Sequence, residues 1–297
     1  MKANRFVVNV LKHFIKKDVK KRKAYDPPHS FKEWRNVPYV DDGLINHSYD
    51  VFLADSSNRK HICVFDIHGG SYIFGEHDNN YPFAYELLRR GYDVVAMDYI
   101  PNNGKMDTFD LITDLENNFR HVLSHLKDFD LDNDRFFIAG DSAGGHFALL
   151  FAELFTNDDI QKSLHVLLPE LDFDGVILNC PVYDFENIDG GVMTKSGLKR
   201  MLGPKGTDKK YLATLSPKTY IDKMNKPIFL STCKRDFIRI QSLKLKEDVE
   251  SRSNFVFVDV DSDDKRVDHV HNVVKINLKE SIYVNDEIDK FIMNLEK

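Results

Sequence analysis

Apolar residues along the chain fall in short, nearly unbroken runs, separated by stretches in which they recur every three or four positions. The runs at 48–54, 61–67, 92–98, 135–139, 175–179, 227–232 and 254–260 predict strands; the stretches at 81–90, 108–127, 145–155 and 280–295 predict helices. Runs such as Val176-Ile177-Leu178 and Ile228-Phe229-Leu230 have no polar alternation, which a strand tolerates only when both of its faces are covered. Strands alternating with helices therefore predict the α/β class, a mostly parallel sheet with helices on both faces. Ligands of such sheets bind at the carboxyl ends of the strands. The rhythm lapses at about 183–221, a stretch with Gly190-Gly191, Gly203-Pro204 and scattered helical pieces. An insertion of that length between two core strands predicts a small helical cap over the site.

At 297 residues, 42% of them hydrophobic, the chain can bury one large core, so a single catalytic domain over 51–297 is expected, with 1–50 as an N-terminal cap or flap. Charge is unevenly spread. Residues 1–24 hold nine Lys or Arg against one acid, Asp18, a charge of +8, which leaves −14 on the rest of a chain whose formal total is −6. An acidic body excludes nucleic acid as the expected partner. The apolar core of residues 6–17 is short and broken by Lys12 and His13, which argues against a signal peptide or stable membrane insertion and for an amphipathic helix packed on the domain. Asp26-Pro27-Pro28 ends it. Cys63, Cys180 and Cys233 are odd in number and each lies in or beside an apolar run, the pattern of buried thiols in a reducing, cytoplasmic setting without disulfides. A homodimer is compatible with all of this.

The candidate chemistry centres on Gly140-Asp141-Ser142-Ala143-Gly144-Gly145, between the apolar run at 135–139 and a helical pattern. Gly-x-Ser-x-Gly at a strand-to-helix bend is a nucleophile elbow: the glycines allow the close crossing, and the serine projects where the Ala143 amide and the new helix's positive end can meet a developing oxyanion. His68-Gly69-Gly70 follows another predicted strand, and its glycine amides suit the second half of that oxyanion site, with His68 holding the loop. An elbow serine needs an acid and a base, in that chain order. Asp236 follows the run at 227–232; His269 and His271 lie between the last strand and the last helix. Asp259, Asp261, Asp263, Asp264 and Asp268 read as an acidic loop. His121 and His125 have the spacing of a zinc pair but no adjacent glutamate, so they read as a solvated helix face. His146 reads as packing, and Tyr72 and Phe74 either line the acyl pocket or belong to the core.

Taken together, His68-Gly69-Gly70, Gly140-Asp141-Ser142-Ala143-Gly144-Gly145, Leu215-Ser216-Pro217, Asp236 and His269 resemble the hormone-sensitive-lipase-like branch of the α/β-hydrolases, which includes bacterial acetyl esterases and carboxylesterases. The resemblance spans roughly residues 61–297. It implies the α/β-hydrolase fold, a catalytic Ser142, Asp236 and His269, an oxyanion hole from Gly69, Gly70 and Ala143, no cofactor or metal, and a small-molecule ester as substrate. Three positions depart from the branch: Ser71 replaces a third glycine, Ile100 stands where the pattern Asp-Tyr-Arg places an arginine, and His271 occupies the place of an aromatic after the base. A short-chain carboxylesterase is the expectation; an amidase or formamidase with the same triad, or a catalytically inactive receptor on this fold, are the alternatives.

Overall fold

A computed structural model describes residues 25–102, 106–186 and 195–295. Alternate residues of strand β3 (Ile62–Ile67) show how the layers form. Cys63, Phe65 and Ile67 point into one apolar cluster, Ile62 and Val64 into another, because successive strand side chains face opposite ways. Helices α2 (Thr108–Ser124), α3 (Ala143–Thr156) and α7 (Arg239–Val249) fill the first cluster, and α1 (Tyr81–Arg89) and α9 (Lys279–Asn294) the second. The sheet between them has eight strands among the described residues, in the order β1-β2-β4-β3-β5-β6-β7-β8. Besides β3 they are β1 (Phe31–Pro38), β2 (Ser48–Ala54), β4 (Asp93–Met97), β5 (Arg135–Asp141), β6 (Gly175–Asn179), β7 (Ile228–Cys233) and β8 (Phe255–Val260). β1 and β2 run antiparallel to their neighbours, and the other strands are parallel.

Residues 1–24, where the amphipathic helix is expected, lie outside the described residues. Within the remainder of the expected cap segment, Phe31–Pro38 is an edge strand paired with β2, and β2 itself begins at Ser48. The sequence hides β1 because Phe31, Trp34 and Val37 recur every three residues, a helical spacing. A register shift between Trp34 and Val37, with Asn36 at φ +51°, reconciles that spacing with a strand. Two further helices, α4 (Asp158–Leu164) and α7, carry too little apolar periodicity to stand out. The described part of the insertion is helical, with α5 (Lys195–Leu202) and α6 (Lys209–Leu215): Tyr211 Oη accepts from the Thr108 N–H at the start of α2 at 2.8 Å, and the Leu215 carbonyl accepts from His146 Nε2 of α3 at 2.8 Å.

Every residue of α3 from Ala143 to Leu154 is buried, His146 and Glu153 included, so this helix is covered on all its faces and sits against the sheet's middle. A Cβ on Gly144 would overlap the carbonyl oxygens of Ile67 and His68, and one on Gly140 the Gly144 carbonyl. The Gly144→Ala variant is therefore expected to lose at least about 1–3 kcal/mol of stability, read as a lower urea midpoint at unchanged slope; an unshifted midpoint would refute the close-crossing argument.

Candidate active site

Strand β5 runs to Asp141, two residues further than its apolar pattern predicts, and the chain turns into α3 at once. Ser142 occupies that turn at φ +54°, ψ −115°, outside the regions a side-chain-bearing residue favours. Its amide donates to the Asn179 carbonyl and its carbonyl accepts from His146 and Val182, which hold the bend. Cys180 (φ +49°) and Val270 (φ +53°) are also left-handed, and the Val270 N–H donates to Cys180 Sγ at 3.5 Å. Positive φ at a β-branched residue costs on the order of 1–3 kcal/mol and persists only where the surroundings enforce it. Both residues adjoin the predicted site, Val270 directly following His269.

Ser142, His269 and Asp236 come from three separate loops at the carboxyl ends of strands and meet there. His269 Nε2 lies 2.9 Å from Ser142 Oγ, and His269 Nδ1 lies 2.7 Å from Asp236 Oδ1. Asp236 Oδ1 also accepts from the Ile238 N–H at 3.0 Å, and Oδ2 accepts from Thr232 Oγ1 at 2.9 Å. Burial by itself pushes this carboxyl up, but the His269, Ile238 and Thr232 hydrogen bonds outweigh it and hold the group below its ordinary range. An ionised carboxylate only accepts, so the His269 proton belongs on Nδ1, and Nε2 is left to accept the Ser142 hydroxyl proton.

His271, two residues on, faces away: its Nδ1 pairs with Ser281 Oγ at 2.8 Å on the far side, and burial lowers its imidazole to about 4, with Lys275 adding to the shift. His146 is fully buried, and burial lowers it to about 4 against the opposing pull of the Leu215 carbonyl. His121 and His125 stack at 4.2 Å, and His121 Nδ1 contacts Tyr49 Oη at 2.9 Å. Among the described residues, one group of three could offer ligands to a metal: Cys180, Asp236 and His269, whose candidate atoms lie within 4.8 Å of one another. Burial and the nearby Asp236 push the Cys180 thiol well above its ordinary value, and a protonated thiol is a poor ligand.

The expected set of oxyanion donors needs one correction. The Gly69 N–H donates to Asp141 Oδ1 at 2.8 Å, so it is already engaged. Asp141 also accepts from Asn80 Nδ2 at 2.9 Å. Behind it, burial and the Asp141 charge push the Asp66 carboxyl well above its ordinary range. Gly70 and Ala143 remain: the Ala143 amide is first in α3 and has no acceptor within its own helix, and Gly70 lines the cleft beside Ser142. Gly70 has φ +141°, and a Cβ there would overlap the Phe74 carbonyl; Ser71 and Tyr72 follow at φ +53° and +65°. Ser71 thus takes a left-handed turn that a glycine makes without strain.

A cleft of about 190 Å³ opens in front of these groups, lined by Gly70, Ser71, Phe74, Asn79, Ser142, Phe237 and His269 among others. Phe74 reaches it; Tyr72 is fully buried and packs on His146, Phe147 and Phe185 instead. Phe237 is missed by sequence reasoning. It is 54% exposed, and its ring lies 4.3 Å from that of His269. Its signal was position alone, one residue after Asp236. Asp141 carries no signal either, although it stands inside the elbow motif, because Gly-x-Ser-x-Gly leaves its second position unspecified.

Residues 49–248 match the BD-FAE family. The chain belongs to the BD-FAE family, a family of α/β-hydrolase esterases. Its fold is shared with solved structures at low sequence identity. Esterase B from Lactobacillus rhamnosis, in a structure with a C4-C4 SN3 tributyrin phosphonate, superposes with a TM-score of 0.83 at 22% identity, covering 97% of this chain and 94% of that one. A bacterial heroin esterase gives 0.72 at 16% identity over 97% and 92% of the two chains. An esterase from Pyrobaculum calidifontis gives 0.71 at 17% identity over 98% and 94%. A comparison with curated protein sequences gives no match. No helix among the described residues of this BD-FAE member is long and apolar enough to cross a membrane.

Proposed function

We propose that this chain is a serine carboxylesterase that hydrolyses short-chain carboxylic esters through an acyl-enzyme intermediate. The observation that carries the reading is the continuous relay from Ser142 Oγ through His269 to Asp236, at 2.9 and 2.7 Å, at the wall of the cleft. His269 Nε2 takes the Ser142 proton as Oγ attacks the ester carbonyl, and the resulting imidazolium is stabilised by Asp236. Negative charge on the former carbonyl oxygen meets the Gly70 and Ala143 N–H groups and the positive end of α3. Collapse of this intermediate expels the alcohol, which leaves with the proton from His269. Water then attacks the acyl-enzyme, again giving its proton to His269, and the acid departs as that proton returns to Ser142. Neither half of the cycle calls for a cofactor.

Cleft size supports the chain-length part of the proposal. Phe74 and Phe237 flank a volume of about 190 Å³, and of the insertion helices read as a cap, α6 meets the elbow helix through the Leu215 carbonyl and His146. On a series of p-nitrophenyl esters, kcat/KM is expected to be highest for acetyl to butyryl and to fall by roughly tenfold or more by octanoyl, the cost of about 1.4 kcal/mol of lost transition-state binding. A rate that rises with acyl length through octanoyl would overturn the short-chain assignment while leaving the triad untouched. Phe237 exposes its ring over the base, so Phe237→Ala is the variant expected to relax that limit.

A further inference from the structure

We propose that His77 is a positioning residue for the oxyanion loop: with Asp98 it pins both ends of residues 68–77, so that the Gly70 amide stays aimed at the reacting oxygen. The proposal rests on the reading above that Gly70 donates to the oxyanion. Asp98 is fully buried and reaches both ends of the loop with one carboxylate. Its Oδ2 takes His77 Nδ1 at 2.8 Å, and its Oδ1 lies 3.1 Å from His68 Nε2. The His68 contact is at ion-pair distance but off-angle for a hydrogen bond, since neither atom has a hydrogen-bond partner; the well-aligned anchor of the carboxylate is therefore His77. At the other side of its ring, His68 Nδ1 donates to the Gly69 carbonyl at 2.6 Å, directly before the Gly70 amide. The ring stacks on Tyr99 at 4.5 Å, and a Cβ on Gly75 would overlap it.

Both nitrogens of His77 face carboxylates, because Nε2 lies 3.3 Å from Asp50 Oδ1. Since a carboxylate accepts and does not donate, each nitrogen carries a proton and the ring is a buried imidazolium. Burial alone would lower this group, but Asp50 and Asp98 outweigh it and raise it to about 10. Asp50 in turn holds Arg35 at 3.2 Å and Tyr81 Oη at 2.5 Å. The charges therefore alternate from Arg35 on edge strand β1, through Asp50, His77 and Asp98, to the loop. Such an array is costly to assemble and costly to interrupt, and Ile100 supplies no charge to it. Loop closure through one carboxylate, hydrogen-bonded to His77 and at ion-pair distance from His68, gives these charges a use beyond stability: residues 70–74, with three successive positive φ values, need their ends fixed for the amide to point one way.

The test is steady-state kinetics of His77→Gln and Asp98→Asn, singly and together, on p-nitrophenyl acetate, with the affinity of a trifluoromethyl ketone that adds to Ser142 as an oxyanion adduct. His77→Gln is expected to lower kcat by about 10- to 100-fold, less than the 10²–10³ of losing a whole donor, with KM within about threefold. The ketone should weaken in parallel, and the double variant should be no worse than the worse single one. A folded His77→Gln enzyme with kcat within threefold of wild type, or losses that multiply in the double variant, overturns the proposal. Should His77→Gln fail to fold, the same comparison on Asp50→Asn, which removes the other partner of His77, decides it, with a kcat loss expected and unchanged kcat refuting. Turnover retained in Ser142→Ala would instead sink the underlying reading of the site, so the two failures are distinguishable.

Discussion

Ser142→Ala is expected to remove ester turnover, with a loss on the order of 10⁶ in kcat as for other serine triads, while the thermal midpoint stays near that of the wild type. The second half follows from the environment. Ser142 is only partly buried and sits at the cleft wall, so deleting its hydroxyl removes no core packing and leaves no buried partner stranded except His269, which is itself partly exposed. The first half follows from the absence of a substitute. His146 is the nearest other polar group on α3 and is buried against the Leu215 carbonyl, and Cys180 is buried with its thiol pushed well up. Turnover measured with p-nitrophenyl butyrate together with a thermal melt checks both halves. Activity within tenfold of wild type would remove Ser142 from the mechanism.

His269→Ala and His271→Ala are expected to differ by roughly 10³-fold or more in kcat, although the residues are two apart. Only His269 bridges Ser142 and Asp236. His271 instead contacts Ser281 at its Nδ1, and Ser281 Oγ donates to the His271 carbonyl at 3.1 Å, tying α8 (His271–Val274) to α9. His271→Ala should therefore act on stability, lowering the melting temperature by several degrees at near-normal kcat. The reverse ranking, with His271→Ala inactive and His269→Ala turning over, would exchange their roles.

The contrast between those histidines shows what the sequence can carry. Both occupy the right interval before the last helix, and a two-residue offset sends extended side chains to opposite sides. Pattern alone leaves that choice between sides open; the left-handed Val270 between them resolves it in the structure. Strands were legible wherever burial on both faces wrote an unbroken apolar run, as in Val176-Ile177-Leu178. They were illegible at β1, where a bulge at Asn36 spaces the apolar residues three apart. Among the site residues, those fixed by motif and chain order, Ser142, Asp236 and His269, could be named in advance and lie in contact. The residues that hold the oxyanion loop could not. Asp141, Asp98 and the short turn that holds His77 and Asn80 come from three places in the chain, and what relates them is a set of hydrogen bonds and ion pairs that no sequence spacing encodes. The same bonds redirect Gly69, because the His-Gly-Gly motif names an amide but not Asp141, the acceptor that takes it.

The account stands on an activated Ser142, and the most direct measurement is mass spectrometry after exposure to a fluorophosphonate. The wild-type chain is predicted to gain one adduct, mapped by peptide fragmentation to Ser142, with labelling slowed by several orders of magnitude in His269→Ala. Labelling of the wild type at another residue, or none under conditions that label a control serine esterase to completion, would contradict it.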